Sequence, residues 1–341
     1  MKIQRNHMVW ILIILGPILL FGPMLVRGEV LYWGTPMLQF VPWHQFALEV
    51  LKSGHLPLWN PLLGMGAPLL ANYQSALLYP PNFLLILFGP EYGHGVLVTL
   101  HLIWAGIGMA LLVRRLGLGH LSQVIAGLSY SLSGYLVART WFISINHAAA
   151  WLPWIIYATD RLFESVSRRT IRRVYPSVFI LAVIFGFQWL TGHAQTAWYS
   201  LCLSAVWLLW RAISLDTWRD RLRTGFTYLS AGVLGLILTA AQLLPTLEYL
   251  LNTSRATNVD PELAMTYSFW PWRALGLLLP DLFGNPSRGN YWGYANFWEE
   301  AIYIGIIPLI FAILAIVTSL RGKGSRASLG RFLVLVSVVT I

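Results

Sequence analysis

Residues 31–81 read LYWGTPMLQFVPWHQFALEVLKSGHLPLWNPLLGMGAPLLANYQSALLYPP. Trp, His, Gln, Asn and the run Pro57-Leu58-Trp59-Asn60-Pro61 are packed here between two apolar runs, 8–26 before and 96–113 after. A connection this long without structure of its own is uncommon, so the composition suits an ordered pocket better than a linker. Both flanks can cross a hydrocarbon core of about 30 Å, which makes the stretch a structured loop held between membrane spans.

Inside the loop, Pro42 can start a helix. Trp43, Phe46, Ala47, Val50 and Leu51 then recur at helical spacing until Gly54 stops it. The other face carries His44, Glu49 and Lys52, so this segment is expected to lie in the outer membrane interface with those groups toward water. Beyond it, Gly54, Pro57, Pro61, Gly64, Gly66, Pro68, Pro80 and Pro81 interrupt the chain too often for regular structure and imply turns tied down by aromatic packing.

Working outward, the whole chain is oily: of 341 residues, 57% are hydrophobic and 11% charged, and the mean hydropathy is +0.63. That places it among polytopic membrane proteins and excludes a soluble class. The 19 apolar residues 8–26 exceed a signal-peptide core and lack a following small-x-small site, so they read as an uncleaved anchor kinked at Pro17 and Pro23. Further spans are expected at 96–113, 123–138, 148–162, 176–191, 196–210, 226–245 and 301–320. A last apolar run reaches Ile341 after ten residues, too few to cross, and reads as the start of a ninth span cut short. The expected fold is therefore an all-α polytopic membrane protein, one transmembrane domain over 1–341. It has about eight transmembrane helices and two long external loops, 27–95 and 248–300.

Charge placement supports that alternation. Seventeen of the 23 Lys and Arg residues fall on the side of the N-terminus, in the groups Arg114–Arg115, 161–173, 211–223 and 321–331 besides Lys2 and Arg5. Cytoplasmic loops attract Lys and Arg, so the N-terminus is expected in the cytoplasm of a plasma-membrane protein with the long loops outside. The same placement explains the net charge of +10 without a nucleic-acid partner. Nine of the 13 carboxylates fall outside: Glu29, Glu49, Glu91, Glu248, Asp260, Glu262, Asp281, Glu299 and Glu300. The single cysteine, Cys202, lies in an apolar run and reads as a small buried hydrophobe. Asn252-Thr253-Ser254 fits the N-glycosylation pattern, which says little about compartment.

No phosphate-binding loop, nucleophile elbow, dinucleotide fingerprint or metal-ligand pair at helical spacing is present. The polar groups expected at the outer level are Glu29, His44, Glu49 and His55, then Asn146 and His147, then Gly192-His193-Ala194-Gln195, and finally Glu299 and Glu300. Carboxylate, imidazole and guanidinium gathered at a membrane surface suit an anionic lipid head group. Each has a plainer reading. Glu299 and Glu300 can face a helix dipole, His193 can cap a turn, and His44 and His147 can simply hydrogen-bond. Arg139, Arg255, Arg273 and Arg288 can snorkel, with Arg139 singled out because it adjoins two spans.

Gly34-x4-Gln39-Phe40-x-Pro42, Gly54-x-x-Pro57-Leu58-Trp59-Asn60-Pro61, Gly64-x-Gly66-x-Pro68 and Tyr79-Pro80-Pro81 resemble the bacterial YfhO-like membrane proteins. Trp151-Leu152-Pro153, Gly192-His193-x-Gln195, Leu279-Pro280-Asp281-x-Phe283-Gly284 and Glu299-x-x-x-Tyr303-x-Gly305 are similar to that family's later blocks, in order. Members are usually longer, so the resemblance implies the N-terminal half of one. It also implies a GT-C-type fold and a glycosyltransferase that moves a sugar from a polyprenyl-phosphate donor to an envelope polymer or lipid acceptor at the external face.

On that resemblance, Glu29, His44 or Glu299 is the expected base, and Arg139 or Arg273 the phosphate contact. Thr35, Gln39, Trp59, Asn60, His147, His193 and Glu300 complete the expected substrate contacts, with membrane lipids around them. No cofactor is implied, and a divalent metal is compatible but unsupported. The family commonly shows Gly-Asp where this chain has Gly34-Thr35. A hydroxyl cannot act as a base near pH 7, so another group substitutes or the activity is altered. The alternative is a non-catalytic role in lipid or polymer transport or envelope assembly.

Overall fold

The computed structural model describes residues 2–253, 265, 268–294 and 296–339, with side chains from residue 7 onward. Arg255, Asp260, Glu262 and Ser254 of the glycosylation pattern lie outside the described residues. The protein is 75% helical, and strand among the described residues is one antiparallel pair, β1 (Trp59–Asn60) with β2 (Ala67–Pro68).

Helices follow in the order α1 (Lys2–Val26), α2 (Val41–Lys52), α3 (Leu84–Phe88), α4 (Pro90–Arg115), α5 (His120–Ser131), α6 (Gly134–Ala138), α7 (Ile143–Ala150) and α8 (Leu152–Ser167). Then come α9 (Ile171–Leu190), α10 (Ala194–Ala212), α11 (Trp218–Leu238), α12 (Ala240–Leu251), α13 (Phe297–Glu300), α14 (Ile306–Arg321) and α15 (Ser325–Val339).

Among the described residues, four helical stretches are long and apolar enough to cross a membrane: His7–Val26, Pro90–Arg115, His120–Trp141 and Ile171–Leu190. Two further pairs, α11 with α12 bent by 80° and α14 with α15 bent by 117°, raise the number to six if each pair is one broken span. Length and composition thus establish four to six spans where the sequence suggested about eight. The run 148–162 is not one helix: α7 ends before Trp151 and α8 restarts with Pro153 in its first turn, where the missing N–H is harmless. With 16 residues and the charges Asp160, Arg161 and Glu164, α8 is a packed amphipathic helix.

The chain separates into two compact units, Met1–Gly127 with Arg139–Asn258 and Leu128–Ala138 with Val259–Ile341. The core of unit 1 lies between α8, α9 and α11. Ile155, Leu162, Leu181, Phe185 and Ala231 are fully or nearly fully buried there, and Phe185 stacks on Trp189 at 5.5 Å. On its other side α4 carries Trp104, stacked at 4.0 Å on Trp154 of α8, while Val9 and Ile13 of α1 pack on Ala110.

The first loop is ordered, as its composition suggested. A π-helical turn (Pro36–Phe40) leads into α2, and the Trp43 and Ala47 side of α2 packs with Phe40, Leu69 and Ile143. Trp43 and Ala47 of the apolar face of α2 are thus covered by protein, while Leu51 on the same face is 43% exposed. Gly66 takes φ +100° and its Cβ position is filled by the Trp59 indole, whose nearest atom would lie 2.6 Å from a methyl group there, so this turn admits no side chain.

In unit 2, α6 meets the strap after α13 through a hydrogen bond from the Gly134 N–H to the Tyr303 carbonyl, 2.7 Å. Gly305, at φ +99°, then opens α14.

Candidate functional site

Three segments of unit 1 converge on one patch. The Thr35 hydroxyl donates to the Trp141 carbonyl, and Trp33 packs edge-on against the Trp141 ring at 6.2 Å, which seats the start of the first loop on the turn carrying Arg139. The Tyr73 hydroxyl donates to the Trp189 carbonyl at 2.5 Å, where α9 ends. Gly192, at φ +86°, lets the following turn lie directly on Tyr73 and Gln74; a Cβ there would sit 2.7 Å from the Tyr73 carbonyl. Next along, His193 caps α10, its Nδ1 accepting from the Thr196 N–H at 3.2 Å and pairing with the Thr196 hydroxyl at 2.8 Å.

Arg139 is buried, 7% exposed. Burial holds the His193 imidazole below its ordinary pKa, and the Arg139 charge lowers it further. Thr35, Arg139 and His193, 158 sequence positions apart at their extremes, are thereby drawn into one region: Thr35 bonds Trp141, two residues from Arg139, and His193 lies within reach of the Arg139 charge. Chemically it offers a buried cation, a neutral imidazole at pH 7 and a threonine hydroxyl already committed to a carbonyl.

A second group of polar side chains lies deeper in unit 1. His101 and His147 stack at 3.7 Å with their planes 15° apart, and His44 and His94 lie 5.0 Å apart. The Tyr79 hydroxyl, within a fully buried side chain, joins His101 Nε2 at 2.6 Å and accepts from Trp151 Nε1 at 2.9 Å. Gln188 donates to the Ala148 carbonyl and the Ser200 hydroxyl, at 2.9 and 2.8 Å. His44 Nδ1 donates to the Phe40 carbonyl at 2.8 Å, while His44 Nε2, His147 Nε2 and both nitrogens of His94 make no hydrogen bond among the described residues.

His44 is thus corrected from a water-facing position to a buried one, 4% exposed. Burial pushes its pKa down to about 4, only partly offset by the Phe40 and Ser75 backbone carbonyls. His94 and His101 escaped the sequence reading because an expected span beginning at Val96 swallowed one and isolated the other. Their separation of seven residues, which places both on one face of α4, was the usable signal.

The remaining candidates make contacts of their own. Glu29 is exposed and 3.6 Å from Arg27, and Gln39 is half-buried in the π-helical turn. Trp59 lies across Gly66, and the Asn60 side chain accepts from the Leu62 N–H at 2.9 Å, a turn-forming role. In unit 2, Arg273 is fully buried rather than an external loop cation. Its Nε lies 3.8 Å from the Glu300 carboxylate, and Glu300 also accepts from the Tyr291 hydroxyl at 3.0 Å. The two expected substrate contacts therefore face each other. Glu299 heads α13, its N–H bonded to the Asn296 side chain at 3.2 Å, a position that favours an acidic residue. Among the described residues, no three His, Cys, Asp or Glu side chains are placed to hold a metal ion.

No curated protein and no solved structure matches the chain. The family model described as bacterial membrane protein YfhO matches residues 29–341, from the exposed Glu29 through both units. The chain belongs to the YfhO family of bacterial membrane proteins.

Proposed function

We propose that this chain is a GT-C-like glycosyltransferase of the plasma membrane, crossing it several times with the N-terminus in the cytoplasm and the long loops outside. It moves a sugar from a polyprenyl-phosphate donor to an envelope polymer or lipid acceptor. The observation that carries the reading is the convergence of Thr35, Arg139 and His193 from three separate segments. A buried guanidinium near a neutral imidazole is suited to the phosphodiester that joins lipid to sugar in such a donor, whose phosphate becomes more anionic as the sugar departs.

In this scheme the base removes a proton from the acceptor hydroxyl, whose oxygen attacks the anomeric carbon while the bond to the lipid phosphate breaks. Arg139 stabilises the leaving phosphate. Of the three candidate bases we favour Glu29. His44 is enclosed and, with a pKa near 4, is a weak proton acceptor, and Glu299 already serves the start of α13. No metal enters the scheme.

The test is turnover of a panel of polyprenyl-phosphate sugars by the purified protein in lipid nanodiscs. Product is expected with at least one donor. Arg139→Gln should lower kcat/KM by about a hundredfold, the scale of losing one charge-stabilising donor. Absence of turnover across the panel with folded protein would overturn the reading and leave the non-catalytic role in lipid or polymer transport.

A further inference from the structure

The end of unit 1 remote from the imidazole cluster carries a cavity of about 490 Å³ where α4, α8 and α9 meet. That volume lies within the ordinary range for small-molecule sites. Five guanidinium groups line it, those of Arg115, Arg161, Arg168, Arg172 and Arg173, against one carboxylate, Glu164. Two of the five are already matched: Arg115 lies 2.5 Å from Asp160 and 2.7 Å from Glu164, and Arg168 lies 2.6 Å from Glu164. Arg161, Arg172 and Arg173 have no carboxylate within ion-pair distance among the described residues and are exposed.

The rim is built rather than loose. The turn between α8 and α9 places Arg169 at φ +51°, a conformation that costs a non-glycine residue energy, and the Arg169 side chain is anchored 2.9 Å from Asp220. The hydroxyls of Ser165, Ser177 and Thr170 donate to the Leu162, Arg173 and Arg168 carbonyls, so the charged donors that face a ligand are the guanidinium groups. A general preference for basic residues on the cytoplasmic side accounts for Arg in this segment, but not for their gathering around one walled cavity.

We propose that this cavity binds the phosphate of an anionic glycerophospholipid. Arg161, Arg172 and Arg173 supply the planar forks that take phosphate oxygens in pairs. The lipid identification comes from α9. Ile171, Tyr175 and Phe179 are spaced four residues apart, are 58%, 72% and 55% exposed, and form an apolar strip running from the cavity rim along the span. Acyl chains lie on that strip while the head group is held at its end. The site shares no residue with the proposed transfer patch and does not depend on it.

The test is native mass spectrometry of the full chain in detergent with phosphatidylglycerol and phosphatidylcholine supplied together. Phosphatidylglycerol should be retained about fivefold or more over phosphatidylcholine, and the combined variant Arg161→Gln, Arg172→Gln, Arg173→Gln should lose on the order of tenfold in phosphatidylglycerol binding. The matching Lys variant keeps the charges and the membrane orientation but not the fork, and should bind at an intermediate level. Wild-type preference in the folded Gln variant would overturn the proposal. If that variant fails to fold, the single variants Arg161→Gln and Arg173→Gln decide it: about fivefold weaker binding in each supports the site, and unchanged binding in both overturns it. Inorganic phosphate at millimolar concentration separates the sources. Failure to displace the lipid supports the lipid head group, and full displacement would overturn the lipid assignment in favour of a free phosphate.

Discussion

Unit 1 buries four imidazoles as two contacting pairs, His44 with His94 and His101 with His147, the second pair also lying against Tyr79. Unit 2 buries the pair Arg273 and Glu300, opposite charges 3.8 Å apart and 0% and 4% exposed. Imidazoles need only hydrogen bonds, several of which are unmade among the described residues of unit 1, whereas each member of the pair needs the other as its compensating partner away from water. The comparison teaches that unit 1 is fragile toward protonation of His44 and unit 2 toward the loss of one partner.

The largest effect is expected in unit 2. Glu300→Gln leaves Arg273 uncompensated and should cost about 3–5 kcal/mol, read as a lowered midpoint of thermal unfolding in detergent. Replacing both residues, Arg273→Met with Glu300→Leu, should recover much of that loss. Equal damage from single and double variants would break the contrast.

In unit 1 the corresponding stress is acid. The folded pKa of His44 is about 4 against an ordinary 6.5, so between these values the unfolded chain binds the proton and the folded chain does not. Stability is therefore complete above about pH 6.5 and declines as the pH falls toward 4, by roughly 3 kcal/mol from this group. His44→Phe should flatten that part of the pH profile of the unfolding midpoint, and a profile as steep as wild type would remove His44 from the account.

Tyr79→Phe, which takes the shared hydroxyl from His101 and Trp151, should cost about 1–3 kcal/mol in the same measurement. Thr35→Val should be mildest, about 1 kcal/mol, since one hydrogen bond to the Trp141 carbonyl is lost. Its sharper signature is faster proteolysis within the first loop.

The first apolar run could be read directly, because a helix such as His7–Val26 carries its own evidence in unbroken hydropathy. The bounds of α2 were legible for the same reason, since Pro42 and Gly54 punctuate it. The surroundings of α2 were not. Its apolar face shows in a single-helix pattern, but burial of its second face against His94 of α4 depends on a neighbour 50 residues away. The split between α7 and α8 was hidden because Trp151 and Pro153 interrupt the backbone without interrupting the hydropathy. At the candidate site, Arg139 and His193 were legible as residue types, while their approach across 54 positions depends on tertiary packing that no local pattern shows. The pairing of Arg273 with Glu300 was illegible, since nothing local distinguishes a buried cation from a snorkelling one.

The most direct test of the proposed transfer site is a cryo-electron-microscopy map of the protein in nanodiscs loaded with a polyprenyl-phosphate. The account predicts phosphate density against the Arg139 guanidinium, beside His193 and the start of the first loop. Ordered phosphate density remote from all three, with the Arg139 patch unoccupied at saturating lipid, would contradict it.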